Sequence, residues 1–238
     1  MLAERWHMDG MPAGARTNGD GPAPGSGVSR QLWDDDRGEV ARNLLSSGVR
    51  CFAASGFHAT TTRDITSAVG LSPGALYVHF RSKEHVLFEI IRTGHRRSLD
   101  VLGDDPADDA SEHLRSLVRR FVAWHAHHHV VARVCQYELA ALSPAHYEEI
   151  RELRRRSTAT FQDAVTRGVA ERSFADVDVH RVVRAILSLG VDLVRWYRSD
   201  GPDSPEQLGE FYADLALGMV TGARSSRSCP SVGGGGST

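Results

Sequence analysis

Residues 56–86, GFHATTTRDITSAVGLSPGALYVHFRSKEHV, restrict the fold more than any other part of the chain. Thr61 and Asp64 stand in the relation of a capping box, in which each side chain satisfies a backbone N–H of the other residue. The helix they start ends at Gly70, a residue suited to the left-handed position that closes many helices. Leu71 completes the turn, and Ser72 and Pro73 offer an N-cap and a preset first helical residue for a second short helix from Gly74 to Phe80. Ser82 then opens a longer helix with Val86, Leu87, Ile90 and Ile91 on its apolar positions. Helices this short are unstable alone and must pack on their neighbours. Two of them joined by a glycine turn form a helix-turn-helix, whose second helix lies in the major groove of DNA.

The rest of the chain reads almost entirely as helix, because apolar residues recur at steps of three and four and no stretch alternates with period two. Val40, Leu44, Leu45, Phe52 and Ala53 mark a first helix that stops near Gly56. The segment GDDPADDA, residues 103–110, breaks the helix that passes Leu99. Beyond it, Leu114 to His125 share one face, Val131 to Leu142 make a shorter helix, and a charged helix runs from Ala145 to Gly168. Val179 to Tyr197 is apolar nearly all round, so it must be covered on more than one side. Leu208, Phe211, Tyr212, Leu215, Ala216, Met219 and Val220 form the stripe of a last helix. The expected fold is all-α, with a helix-turn-helix head over residues 34–84 and a larger helical body over 85–223. Gly, Pro, Ala and Ser dominate residues 1–33 and 224–238, which are expected to be disordered tails.

Charge is divided unevenly. Residues 37–83 carry six cationic side chains against two carboxylates, a net +4, in a chain whose formal charge is −2. A basic head on an acidic body suits attraction of DNA phosphates to the head alone. Cys51, Cys135 and Cys229 are far apart and outside any CxxC pair, which excludes a disulfide framework or zinc ribbon. No apolar run approaches the roughly 20 residues of a membrane span, and no signal peptide opens the chain, so a cytoplasmic protein is expected. A Gly-rich phosphate loop, a serine elbow, a HExxH helix and paired catalytic carboxylates are all missing, so no catalytic residue and no cofactor are assigned. His125, His127, His128 and His129 have helical ligand spacing but no Cys or carboxylate in the same window, so they are read as a polar corner or plain surface rather than a metal site.

Within the head, Thr61, Arg63, Ser72, Pro73, Gly74, Ala75, Tyr77, His79 and Lys83 are the candidate DNA contacts. Tyr77, His79 and Lys83 are assigned to the phosphate backbone, and Arg63, Ser72 and Ala75 to the groove. Phe80 is read as a core anchor. The constellation of Phe57, Thr60, Thr61, Arg63, Asp64, Ile65, Gly70, Leu76, Tyr77, His79, Phe80, Lys83 and Glu84 strongly resembles the DNA-binding head of TetR/AcrR transcriptional regulators. Thr66 and Val69 depart from it, standing where that family usually has alanines. The resemblance implies a ligand-responsive repressor that binds double-stranded operator DNA as a homodimer and holds a small-molecule effector in its body.

Two body segments, LSPAHYEEIRELRRR and WYRSDGPDSPEQL, look like family members that answer to fatty acyl-CoA or related thioesters and govern lipid or sterol catabolism. This likeness places Trp124, His128, Gln136, Leu139, Phe161 and Trp196 near an acyl chain, and Arg154 and Arg155 near its phosphates. A solvated charged helix explains the same arginines, because Glu148, Glu149 and Glu152 offer partners one turn away. Two alternatives stay open: a regulator of efflux or secondary metabolism that senses a hydrophobic drug-like molecule, and a helical adaptor that does not bind DNA.

Overall fold

The computed structural model describes residues 32–33, 36–103 and 107–222, and these contain helices and no strand. In chain order the helices are α1 (Glu39–Ala59), α2 (Thr62–Ser67), α3 (Pro73–His79), α4 (Lys83–Asp100), α5 (Ala110–His127), α6 (His129–Tyr137), α7 (Pro144–Ala170), α8 (Val179–Asp192) and α9 (Pro205–Thr221). The head consists of α1 to α3 and the start of α4. The boundary expected at residue 84 falls inside α4, a continuous helix that packs on α1 at one side and on α6 and α7 at the other. Helix α4 is thus shared by head and body.

Three expectations are corrected. Leu32 and Trp33, assigned to a disordered tail, are 3% and 1% exposed. The Trp33 indole N–H donates to Ser46 Oγ at 2.7 Å, and Arg97 Nε donates to the Leu32 carbonyl at 3.2 Å. This pair of large apolar residues repays the ordering that the Gly/Pro-rich sequence around it could not. The remaining tail residues lie outside the described part. Helix α6 ends at Tyr137 instead of reaching Leu142, and a 3₁₀ turn follows at Leu139–Ala141. Helix α8 ends at Asp192 instead of Tyr197. Buried Leu193 and Val194 form a 3₁₀ turn there, and the N–H groups of Trp196 and Tyr197 both bond the Leu193 carbonyl.

Burial follows the sequence stripes elsewhere. Leu44, Leu45, Val49 and Phe52 of α1, Ile65 of α2, Leu76 of α3 and Val86, Leu87, Ile90 and Ile91 of α4 are almost fully enclosed. Ser47 Oγ, also enclosed, donates to the Ile65 carbonyl at 2.8 Å and ties α1 to α2. In the body, α5 and α9 form the most extensive helix pair. The side of α9 carrying Leu208, Ala213, Ala216 and Val220 is buried, whereas Phe211 and Leu215 point to solvent. Helices α4 and α6 approach closely because Gly94 has no side chain: a Cβ there would lie 2.5 Å from Cys135 Sγ.

Candidate DNA-binding head and effector cleft

The helix-turn-helix forms as its capping signals require. Thr61 Oγ1 accepts from the Asp64 N–H at 3.2 Å, and Asp64 Oδ2 accepts from the Thr61 N–H at 2.8 Å. Hydrogen bonds from the Thr61 backbone and hydroxyl hold the Asp64 carboxyl below its usual range. Gly70 takes φ of 72°, and the Leu71 N–H returns to the Thr66 carbonyl to close the turn. The Thr66 hydroxyl donates to the Thr62 carbonyl within α2, so this departure from the family's alanine leaves no buried polar atom unpaired. Ser72 occupies the N-cap of α3 but its hydroxyl makes no cap bond, which leaves it available to a ligand.

Helix α3 is anchored by Leu76 and Phe80, 0% and 2% exposed. Phe80 is thus a core residue. The opposite side presents Ser72, Pro73, Gly74, Tyr77, Val78 and His79 to solvent, with Ala75 half-buried. Thr61 and Arg63 lie exposed at the start of α2. Val78 was not among the sequence candidates, although it is 79% exposed. Its register gives the signal: with Leu76 and Phe80 facing inward one turn apart, residue 78 must face outward.

Lys83 has an intramolecular role besides the phosphate contact expected of it. Its ammonium donates to the carbonyls of Phe57 at 2.7 Å and Thr60 at 2.6 Å, and lies 4.1 Å from the centre of the Phe57 ring. It serves as a bracket across the broken end of α1, where Gly56 leaves helical geometry with φ of 75°. Lys83→Met is therefore expected to lower stability by about 1–3 kcal/mol, because two carbonyls lose a charged donor. Thermal denaturation checks this; an unchanged midpoint with weakened operator binding would leave only the phosphate role.

The body holds a chamber of about 120 Å³ between α4, α5, α6, α7 and α8. Phe121, Trp124, Leu187 and Val191 supply apolar wall, and His95, His125 and Gln136 polar wall. Arg154 and Thr158 border both this chamber and two outer clefts of about 570 and 580 Å³. One cleft adds His180 and Arg184, and the other adds Leu139, Arg151 and Arg155.

Burial holds both His95 and His125 down to about 4, only partly offset by hydrogen bonds from the rings to the Ile91 and Phe121 carbonyls. Burial likewise pushes the Cys135 thiol up to about 12, so it stays protonated and unreactive. In the unfolded chain each imidazole takes up a proton near pH 6.5, which the folded chain refuses until about pH 4. Stability is thus full above pH 6.5 and declines as pH falls through that window, by ~1.4 kcal/mol per pH unit for each ring. The melting midpoint should fall accordingly between pH 6.5 and 4, and more shallowly in His95→Gln. Parallel profiles for the two chains would contradict this.

The proposed effector residues are only partly brought together. Trp124, Gln136 and Arg154 line the chamber. Leu139 and Arg155 line an outer cleft, and Arg155 is tied to Glu148 and Glu152 at 3.1 and 2.6 Å. Phe161 is fully buried behind the wall and packs edge-on against Phe121 at 5.5 Å. His128 stacks obliquely on Trp124 outside the chamber lining. Trp196 is 48% exposed, turned outward by the 3₁₀ turn that ends α8. His95, Ser98 and Arg184 were not among the sequence candidates; the first two sit on α4, read from sequence only through its apolar positions. The four clustered histidines diverge: His125 and His129 bond backbone carbonyls and His127 bonds Glu206 at 2.7 Å. Among the described residues no group of three potential ligands is arranged for a metal.

Comparison with known proteins joins the two halves. The profile described as "Bacterial regulatory proteins, tetR family" matches residues 44–90, and "Tetracyclin repressor-like, C-terminal domain" matches residues 107–220. The chain is 36% identical over 188 residues to the HTH-type transcriptional repressor KstR2 of Mycolicibacterium smegmatis, covering 75% of this chain and 89% of that protein. The chain belongs to the TetR family. A TetR-family regulatory protein from Rhodococcus RHA1 superposes with a TM-score of 0.74 at 37% identity, over 79% of this chain and all of that one. The ketosteroid transcriptional regulator KstR2 of Mycobacterium tuberculosis superposes with a TM-score of 0.73 at 30% identity, over 79% and 98% of the two chains. This TetR-family chain is accordingly a ligand-responsive transcriptional repressor, not an enzyme and not an adaptor whose helix-turn-helix only packs. Its class binds operator DNA and small-molecule effectors. No helix among the described residues is long and apolar enough to cross a membrane.

Proposed function

We propose that this repressor is released from its operator by a fatty acyl-CoA or related CoA thioester, with the acyl end in the chamber and the phosphates in the outer cleft. The size and charge of the cleft carry the reading. Ligand sites for whole drug-sized molecules span roughly 300–1,000 Å³. The chamber, at about 120 Å³, takes only one end of such a ligand. Its mouth opens beside Arg154 and Arg184, neither of which has a carboxylate partner among the described residues. Guanidinium groups without partners suit phosphate oxygens, which they bind through paired N–H donors. Arg155 is less suited, since two glutamates already neutralise it. The description of a relative as a ketosteroid transcriptional regulator supports an effector from lipid or steroid chemistry.

The route to the DNA is short. Ala132, Cys135 and Gln136 of α6 line the chamber, and the next turn presents Glu138, whose Oε2 accepts from the Phe57 N–H at 3.1 Å. Glu84 at the start of α4 accepts from the Ser143 N–H at 2.9 Å and meets His146 Nδ1 at 2.7 Å. Burial disfavours the Glu84 charge, but these bonds outweigh it and hold the carboxyl below its usual range. An acyl end that displaces α6 therefore pulls on the break at Gly56. Release follows if the thioester prefers the arrangement whose recognition helices are misspaced, with a coupling of about 1–3 kcal/mol, or roughly 5–150-fold.

The repressor acts as a homodimer in this reading. Phe211 and Leu215 on α9 are 59% and 42% exposed and lie one turn apart, and Leu189 on α8 is 40% exposed. Two such pairs related by a two-fold axis form a four-helix bundle. Calorimetric titration with acyl-CoAs, free CoA and free fatty acids tests the effector: thioesters should bind, and Arg154→Ala should weaken them roughly tenfold through loss of a charged hydrogen bond. Equal affinity of Arg154→Ala and the unaltered chain would remove the phosphate assignment.

A further inference from the structure

Building on the reading of the chamber as the effector site, we infer that the effector's buried end carries a hydroxyl group, and that the chamber distinguishes this from a ketone or a bare hydrocarbon. Nδ1 of His95 lies 2.9 Å from the Ile91 carbonyl oxygen, and Nδ1 of His125 lies 2.8 Å from that of Phe121. A carbonyl oxygen only accepts, so each Nδ1 bears a proton. Each ring is kept neutral by its burial, and its lone pair therefore resides on Nε2. Neither Nε2 has a hydrogen-bond partner among the described residues, and both rings line the chamber. Ser98, 7% exposed, lines it as well, and its hydroxyl has no partner among the described residues either.

The neighbouring hydroxyls are already used. Ser157 Oγ donates to the Leu153 carbonyl and Thr158 Oγ1 to the Arg154 carbonyl, both within α7. The chamber thus offers two acceptors and one free hydroxyl inside an apolar wall of Phe121, Trp124, Leu187 and Val191. Polar atoms that face an apolar-walled chamber gain most from a ligand that pairs with them. A ligand hydroxyl donates to one imidazole and accepts from Ser98. A ketone can accept from Ser98 but leaves both imine nitrogens without a donor, and a hydrocarbon pairs with none of the three.

Cyclohexanol, cyclohexanone and methylcyclohexane test this, because they suit a small chamber and carry no CoA portion. Binding to the full chain is followed by NMR with ¹⁵N-labelled histidine. Cyclohexanol should bind roughly tenfold more tightly than either analogue, as expected for one net hydrogen bond plus an avoided unpaired acceptor. An Nε2 resonance of His95 or His125 should move upfield as the imine accepts the proton, and His125→Phe should narrow the preference. The resonance in the unaltered chain stands even where that variant does not fold. Equal binding of cyclohexanone or methylcyclohexane, no saturable binding of cyclohexanol, or binding that leaves both Nε2 resonances unmoved would each overturn the inference. A cyclohexanol preference without any response to acyl-CoAs removes the thioester and keeps the hydroxyl; the converse removes the hydroxyl alone.

Discussion

Val78→Glu is expected to weaken operator binding by roughly two orders of magnitude while leaving the melting midpoint of the repressor unchanged. Val78 is 79% exposed and sits opposite Leu76 and Phe80, so no packing is lost when it is replaced. With Leu76 and Phe80 directed into the head, the side of α3 offered to a DNA groove is centred on residues 74 and 78. A carboxylate there faces the phosphates across a narrow gap and exchanges an apolar groove contact for repulsion. Fluorescence anisotropy with a labelled operator measures the loss. Val78→Thr, which keeps the shape of the side chain, should retain affinity within a few-fold and shift preference at the base pair it faces. Val78→Glu with affinity within a few-fold of the unaltered chain would mean that another part of the head enters the groove.

Leu215→Glu should yield monomers, and with them a loss of operator affinity of roughly a hundredfold or more. A two-fold interface places the same surface of both copies together, so one substitution brings two new carboxylates into the bundle. Residues on the other side of α9 are untouched: Ala213, Ala216 and Val220 stay packed, and Asp214 keeps its bond to Arg115 at 2.7 Å. The helix content should therefore remain. Each monomer then binds a half-site without the linkage that makes two weak contacts one strong one. Sedimentation velocity gives the assembly state, and a fully dimeric, DNA-competent Leu215→Glu chain would refute the interface.

The head was legible because its information is local. Thr61 with Asp64, Gly70, and Ser72 with Pro73 act through backbone groups a few residues away, and the structure uses the first two as expected. The bracing role of Lys83 was not legible because its two carbonyl partners lie more than twenty residues earlier, at a break whose geometry no spacing rule supplies. The same limit applies to the tail boundary, where Trp33 finds Ser46 and Leu32 finds Arg97. In the body, helices were recoverable from periodicity, but the chamber was not. Phe161 lies on α7 and Trp196 just past the 3₁₀ turn that follows α8, yet one packs behind the wall and the other turns out to solvent. Aromatic composition does not report which side of a helix meets a cavity. His95 and Ser98 escaped notice because they punctuate a helix already explained by its apolar residues, and only the glycine at 94 draws α6 close enough to enclose them.

Release from the operator depends on thioester control of DNA binding. Operator affinity should be titrated at fixed salt with acyl-CoAs of several chain lengths, alongside free CoA, free fatty acids and an unrelated hydrophobic drug. One class of acyl-CoA should weaken binding by roughly 5–150-fold while free CoA and free acid do so far less. Glu138→Gln, which weakens the link from α6 to the Phe57 N–H, should reduce that ratio without abolishing thioester binding. Insensitivity to every thioester, with release by the unrelated drug, would contradict the central claim and assign this repressor to efflux-type control.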